Sequence, residues 1–228
     1  MLLHIPDLLS PTDLSALRER LAAARWEDGR STAGYRSAAA KHNEQVAEDD
    51  PVARILGDIL TERLLAHPTF FSAAIPLRIY PPLFNRYQGG QAFGMHVDNA
   101  VRYDRRTSPP VAVRTDISAT LFLSEPGEYD GGELVVEDTY GTHDIKLPAG
   151  HLALYPANSL HRVNPVTRGV RMASFFWVQS MVADTTRRRL LFDMDLSIQE
   201  LTASGADSGA LLRLTGIYHN LLREWSQT

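Results

Sequence analysis

The first regular pattern of hydrophobic and polar positions is helical and follows the pair Ser10-Pro11. Serine is a favoured N-cap residue, and proline fits the first helical position. The apolar residues that come next lie three or four positions apart, namely Leu14, Leu17 and Leu21. This spacing places them on one face, so the sequence predicts an amphipathic helix that runs to about Arg25.

A second helix is predicted by the same reasoning from Asp50-Pro51 to His67-Pro68. Its apolar positions indicate that it covers one face of a sheet: Val52, Ile55, Leu56, Ile59, Leu60, Leu64 and Leu65. The segment between the two helices, Trp26 to Glu48, is polar and punctuated by glycine, and it has no sustained period. It is predicted to be a loop that contains one irregular strand.

From Ala74 the pattern changes to short stretches in which apolar and polar residues alternate, as in half-buried β-strands. Gly, Pro and Asp clusters separate these stretches, which read IPLRIY, LFNRYQ, FGMHVD, DISATLFLS, GELVVED, HDIKLP, HLALYP, SLHRVNP and VRMASFFWVQ. Strands of this length and spacing predict an antiparallel sandwich or barrel. The pair Gly131-Gly132 is predicted to form a hairpin turn before ELVVED.

The β pattern ends at Val182, and two helices are predicted after it, from Arg187 to Leu201 and from Ser208 to Trp225. They carry more apolar surface than two short helices can bury on each other. They therefore pack on the sheets or on a second copy of the chain, so a homodimer stays open. The predicted fold class is mainly β with flanking helices.

Composition and charge narrow the function classes. The chain has 228 residues, 44% of them hydrophobic, which is enough for a sizeable core. A net charge of −4 gives no basic field for nucleic acid or for an anionic membrane surface. The lack of cysteine excludes disulfides, thiolate metal sites and a cysteine nucleophile. The start, MLLHIPDLL, does not read as a signal peptide, so a cytoplasmic location is expected.

The candidate chemistry centres on the stretch NRYQGGQAFGMHVD, which ends in the pair His96-x-Asp98. If one strand carries both residues, their spacing puts the imidazole and the carboxylate on one face. His161, in the distant stretch SLHRV, would complete a set of two histidines and one carboxylate, which suits ferrous iron with open coordination positions. The alternative is a surface hydrogen bond between His96 and Asp98 with a separate core histidine. The remaining histidines show no ligand spacing and are expected at the surface or at caps.

The last predicted strand, VRMASFFWVQ, adds a candidate anion-binding residue. Alternation places Arg171, Ala173, Phe175 and Trp177 on one face, which would line a pocket, although the two aromatic residues are equally expected in an ordinary core. A guanidinium holds a carboxylate by two parallel hydrogen bonds and stays charged. The arginine-rich segment from Asn99 to Thr115 is expected to be a solvated loop, with a substrate lid as the alternative.

These stretches together resemble the PKHD-type hydroxylases, a bacterial branch of the iron(II) and 2-oxoglutarate-dependent dioxygenases that is related to the prolyl 4-hydroxylases. The resemblance rests on RYQGGQAFGMHVDN, RTDISATLFLSEPGEYDGGELVVEDTYG, KLPAGHLALYPANSLHRVNPVTRGVRMASFFWVQSMV and RRRLLFDMD. It implies a double-stranded β-helix, or jelly-roll, in residues 1–181, with a catalytic core at about 78–179. Residues 182–228 would form a C-terminal helical extension.

The resemblance also implies the roles of the site residues. His96, Asp98 and His161 would be the iron(II) ligands, and Arg171 would anchor the distal carboxylate of 2-oxoglutarate. Tyr87 is either a second hydrogen-bond donor to this cosubstrate or a packing residue. The expected reaction is hydroxylation of a small molecule or peptide by O2, with release of succinate and CO2 and with ascorbate as an aid to turnover. A link to iron or siderophore metabolism is one suggestion.

Three other functions compete with this interpretation. A non-catalytic sensor of iron or 2-oxoglutarate would keep every motif and lose turnover. A cupin-like metal-binding protein could share the jelly-roll, but such sites commonly show His-x-His where this chain has Asp98. A zinc hydrolase is disfavoured because the H-E-x-x-H motif is absent.

Overall fold

The computed structural model describes residues 2–32 and 38–228, which fold into two facing β-sheets with helices outside them. The strands have the following bounds: β1 Leu3–Ile5, β2 Trp26–Asp28, β3 Lys41–His42, β4 Glu44–Val46, β5 Pro76–Ile79, β6 Leu83–Gln88, β7 Ala92–His96, β8 Val101–Asp104, β9 Val111–Arg114, β10 Ile117–Phe122, β11 Tyr129–Gly131, β12 Leu134–Asp138, β13 Gly141–Ile145, β14 Leu152–Pro156, β15 His161–Val163 and β16 Val166–Ser180. The larger sheet has the strand order β1-β14-β10-β16-β6-β4-β2, with β5 and β11 also paired to β16. The smaller sheet has the order β13-β12-β15-β7-β3, and β8 pairs with β9 alone. All these pairings are antiparallel, so the predicted fold class is confirmed.

Every stretch with period-two alternation after Ala74 overlaps one of these strands. The long strand β16 forms the centre of the larger sheet and carries Arg171.

The two predicted N-terminal helices are present with the predicted caps. Helix α1 spans Pro11–Ala22, and the Ser10 hydroxyl accepts a hydrogen bond from the backbone N–H of Asp13. It ends three residues before the expected Arg25 because the chain enters β2 at Trp26. Helix α2 spans Pro51–Ala66. A further short helix, α3 at Pro68–Ala74, was not predicted from the pattern.

The prediction of a single strand between Trp26 and Glu48 is wrong. The structure has three there, β2, β3 and β4, each of two or three residues. Residues 33–37 of this segment lie outside the described residues. Strands this short show no readable alternation, but they extend both sheets, because β4 pairs with β6 and β3 pairs with β7.

The glycine pair Gly131-Gly132 does not form the predicted hairpin. Its two flanking strands pair with other partners, β11 with β16 and β12 with β13 and β15, so the pair carries the chain from one sheet to the other. Both glycines have positive φ. A Cβ at Gly131 would lie 2.0 Å from the carbonyl oxygen of Pro165, which explains why a side chain is excluded there.

The C-terminal helices, α4 at Thr185–Ala203 and α5 at Ser208–Trp225, pack on the end of the larger sheet. Leu191 is buried in a cluster with Ile75 and Val182, against which Tyr218, Leu221, Leu222 and Trp225 pack. The Ser72 hydroxyl of α3 donates a hydrogen bond to Asp195 of α4 at 2.6 Å. Within the described residues, no helix is long and apolar enough to cross a bilayer.

Leu191→Ala should lower the free energy of unfolding by about 2–5 kcal/mol, because it removes a fully buried side chain and leaves a cavity. Leu65→Ala on α2 is the matched control, since Leu65 is 49% exposed and its truncation should change stability by less than about 0.5 kcal/mol. Urea unfolding of the two variants measures the difference. Equal stability of both variants would show that the helices are not part of the cooperative fold.

Candidate metal centre and active site

The two candidate histidines lie opposite each other on neighbouring strands. His96 is the last residue of β7, His161 is the first residue of β15, and the two are register partners. Their ring centroids are 4.1 Å apart. Asp98 lies two residues beyond the end of β7, so the expectation that one strand carries both His96 and Asp98 is wrong, although both side chains still reach one point.

Backbone carbonyls orient both imidazoles. Nδ1 of His96 lies 2.8 Å from the carbonyl oxygen of Gly94, and Nδ1 of His161 lies 3.0 Å from that of Ser159. Because a carbonyl only accepts, each Nδ1 must carry the proton in these contacts, which leaves Nε2 as the nitrogen that can bind a metal. These Nε2 atoms lie 3.9 Å and 3.7 Å from the carboxylate of Asp98.

The electrostatics of this cluster fit a metal. Burial, together with the neighbouring His161, lowers the pKa of His96 to about 4, so the ring is neutral at pH 7. The Ser118 hydroxyl donates a hydrogen bond to Asp98 Oδ2 at 2.5 Å. One ligand atom from each of His96, Asp98 and His161 lies within 4.8 Å of the others. Two neutral imidazoles and one carboxylate form the donor set of non-haem iron(II) oxygenases, and the residues present therefore fit that ion.

Arg171 reaches the same cavity from β16. It is 1% exposed, and in the described part of the chain its Nε and Nη2 atoms have no hydrogen-bond partner. Its guanidinium carbon lies 5.1 Å from the ring centroid of Phe122 and 5.5 Å from that of Tyr87. A buried guanidinium with unused donors is costly unless an anion binds it, which makes this position suited to a ligand carboxylate.

Tyr87 is the register partner of Arg171 on the adjacent strand β6 and also lines the cavity. Burial raises the pKa of its hydroxyl to about 12, and the nearby Arg171 charge opposes this rise. The hydroxyl therefore keeps its proton at neutral pH. It can donate a hydrogen bond to the same anion as Arg171.

Four further residues of the cavity wall are of two kinds: the sequence pattern predicted two of them to line a pocket and did not predict the other two. Phe175 and Trp177 of β16 line it, as the alternation predicted, and their rings meet edge to face. Lys41 and Arg102 also line it. Lys41 lies in the stretch predicted to be loop, and Arg102 belongs to the hairpin of β8 and β9 rather than to a solvated loop. Only the pairing of β3 with β7 brings Lys41 to the site.

Comparison with known proteins decides the family. Residues 82–179 match the family model of the 2OG-Fe(II) oxygenase superfamily, and residues 185–227 match the PKHD-type hydroxylase C-terminal domain. A PKHD-type hydroxylase of Xanthomonas campestris is 62% identical over 226 residues, which cover 99% of both chains. One of Burkholderia ambifaria is 60% identical over 230 residues, which cover 100% of both. The chain belongs to the PKHD-type hydroxylases.

As a PKHD-type hydroxylase, the chain is an iron(II) and 2-oxoglutarate-dependent enzyme. Solved structures show the same jelly-roll at low sequence identity. A Burkholderia pseudomallei oxidoreductase of the 2OG-Fe(II) oxygenase family has a TM-score of 0.56 at 17% identity and covers 78% of this chain and 84% of its own. A Pseudomonas putida prolyl-4-hydroxylase has a TM-score of 0.52 at 20% identity, covering 78% of this chain and 92% of its own. The predicted double-stranded β-helix is confirmed.

Proposed function

We propose that His96, Asp98 and His161 hold the iron(II) ion of this hydroxylase, and that Arg171 and Tyr87 bind the distal carboxylate of 2-oxoglutarate. The observation that carries the proposal is the pair of unused donors on a fully buried arginine in the cavity that contains the cluster of His96, Asp98 and His161. The guanidinium offers two parallel N–H donors to a carboxylate, and the tyrosine hydroxyl offers a third.

The residues of the chain orient the metal ligands and the cosubstrate. Gly94 and Ser159 fix the orientation of the imidazoles, and Ser118 fixes one oxygen of Asp98, so the three donors need little rearrangement on binding. Arg171 holds the cosubstrate at one end and thereby restricts how its other end approaches the ligands. When bound, iron(II) and 2-oxoglutarate supply the oxygen chemistry that hydroxylates a C–H bond with release of succinate and CO2.

The prime substrate is a small molecule or a peptide that enters beside Phe175 and Trp177. A role in iron or siderophore metabolism and stimulation by ascorbate, which keeps iron ferrous, belong to the same proposal. The deciding experiment is succinate formation from 2-oxoglutarate in air, with and without iron(II), while candidate substrates are screened. A sensor would bind both ligands and release no succinate beyond the metal-free control. A cupin-like binder would bind the metal without needing 2-oxoglutarate.

Ser118→Ala should weaken iron(II) affinity by roughly tenfold to a hundredfold, because it removes the hydroxyl that orients the carboxylate of Asp98. Ser174→Ala is a matched control: Ser174 is also buried, but its hydroxyl donates to the carbonyl of Leu83 instead. Anaerobic titration of both apoproteins with iron(II) gives the affinities. Equal affinities would mean that Ser118 does not support the metal site.

We also propose that residues 182–228 form a distinct extension and that its exposed apolar side chains, Leu212 and Ile217 of α5 among them, pack against a second copy of the chain. The support is that no residue of α5 is buried in the single chain. Light scattering should give twice the chain mass for the parent protein, and Leu212→Glu should shift it toward the monomer. A monomeric parent would end the dimer proposal.

A further inference from the structure

Two cationic side chains lie on the wall of the active-site cavity, apart from Arg171. Lys41 of β3 is buried, and its ammonium lies 5.4 Å from the ring centroid of Phe93 and 5.7 Å from that of Phe175. The ring of Phe93 in turn stacks on His96, with centroids 3.6 Å apart and planes 17° apart. One aromatic ring therefore separates the ammonium from a proposed iron ligand.

Arg102, on β8, holds the second charge. Its guanidinium carbon lies 4.3 Å from the ring centroid of Trp177 and 4.8 Å from that of Tyr80, within cation–π distance of both rings. Its side chain is largely shielded from solvent, whereas Glu48, 3.9 Å away, is about half exposed. The guanidinium thus lies against aromatic rings on the cavity wall and near one carboxylate.

The two charges influence each other in a setting where water screens them poorly. Burial, followed by the charge of Arg102, lowers the pKa of Lys41 to about 7, while Asp98 and Glu48 oppose the shift. Lys41 also donates a hydrogen bond to the neutral side chain of Gln45. The two cationic groups repel each other, and a ligand anion that contacted both would lessen that repulsion.

The distal carboxylate of the proposed cosubstrate does not account for these cations, because Arg171 and Tyr87 are assigned to it from β16 and β6. Lys41 and Arg102 come from β3 and β8 instead, next to Phe175 and Trp177. A substrate that met both groups would present an apolar portion to the rings and an anion to the cations. A carboxylate suits both groups, because a guanidinium and an ammonium can each donate charge-assisted hydrogen bonds to it.

We propose that Lys41 and Arg102 recognise a carboxylate on the prime substrate, so that this hydroxylase acts on a carboxylic acid with an apolar or aromatic portion. The inference rests on the proposed function for the identity of the site. It makes Lys41 and Arg102 specificity-determining residues, with Phe175 and Trp177 as the surface that packs against the rest of the molecule.

The test compares matched acids and amides as probes. Benzoate, phenylacetate and hexanoate are each titrated against their primary amides by ligand-observed NMR. The protein is loaded with zinc(II), an inert ion, and saturated with 2-oxoglutarate to fill the Arg171 position. At least one acid should bind about tenfold or more tightly than its amide, as expected for a charge-assisted hydrogen bond. If no acid binds more tightly than its amide, including the case in which nothing binds, the proposal is overturned.

Single substitutions test whether Lys41 and Arg102 cause the preference for acids over amides. Lys41→Met, which keeps an unbranched side chain, and Arg102→Met should each reduce acid binding about tenfold while amide binding stays unchanged. Arg105→Met is the control, since it removes the same charge from an exposed position next to the same hairpin. If Lys41→Met does not fold, acid binding by Arg102→Met alone tests the assignment. Acid binding that is unchanged in every folded variant overturns the assignment.

Two further measurements separate this proposal from the proposed function. Lys41→Met should bind 2-oxoglutarate as tightly as the parent protein, and a loss there would instead assign Lys41 to the cosubstrate. In Arg171→Ala the preference for acids over amides should persist. Because binding is read without turnover, an absence of succinate would contradict the proposed function and leave the acid preference as an independent result.

Discussion

Asp98→Ala and His96→Ala should each abolish stoichiometric iron(II) binding, whereas the parent protein should bind roughly one ion per chain. A facial set of three ligands holds iron(II) firmly only when all three are present, and each variant removes one. Among the described residues, the cluster consists of His96, Asp98 and His161, so it offers no fourth ligand to replace the one that is removed. Succinate formation should fall to the level of the metal-free protein.

The measurement is iron content after anaerobic loading and gel filtration. The chain offers a matched control in the exposed pair His143 and Asp138, which is hydrogen-bonded at 2.9 Å and lies outside the cavity. His143→Ala and Asp138→Ala should retain iron and activity. Undiminished iron binding in both Asp98→Ala and His96→Ala would refute the assignment of the metal centre.

Arg171→Ala should leave iron(II) affinity nearly intact and weaken 2-oxoglutarate binding by about thirtyfold to several thousandfold. Removing one partner of a buried charge-assisted pair typically costs about 2–5 kcal/mol, which converts to that range. Arg171→Lys should restore binding only in part, because an ammonium is a point charge and lacks the two-pronged fit of the guanidinium.

Anaerobic titration of the iron(II) protein with 2-oxoglutarate, followed by the visible charge-transfer band of the chelate, measures this affinity. Arg168→Ala is the control on the same strand, because Arg168 is exposed and pairs with Asp130 at 2.6 Å. It should bind 2-oxoglutarate as the parent does. If Arg171→Ala also binds as tightly as the parent, the anchor lies elsewhere in the cavity.

The sequence predicted the helices and strands in which the pattern of apolar and polar positions repeats over several residues. Helix α2 has four turns on which apolar residues can fall on one face, and β16 is long enough for its alternation to place Arg171 and Trp177 together. Strands β3 and β4 have two and three residues, too few for any period to appear. The sequence pattern does not mark Lys41 for this reason, since its place beside Phe93 depends on pairing between distant segments.

The residues of the candidate site are more predictable than the groups that support them. The side chains of His96, Asp98, His161 and Arg171 carry specific chemistry, so their order along the chain is informative by itself. The hydroxyl of Ser118 carries no such signal, because serine occurs in many settings. The hairpin prediction at the pair Gly131-Gly132 failed because a glycine pair marks a change of chain direction without showing which strands it joins.

The pairing of β7 with β15 has a consequence for the order in which the protein is assembled. His96 and His161 are neighbours in the sheet but lie far apart along the chain, and such contacts form slowly because closing the long loop costs entropy. We expect the burial of apolar residues to drive folding of the apoprotein, because one ion can bind both histidines only after the two strands have met. Iron(II) would then bind to a site that is already folded. It would add about 4 kcal/mol to the free energy of unfolding when its free concentration is about a thousand times its dissociation constant.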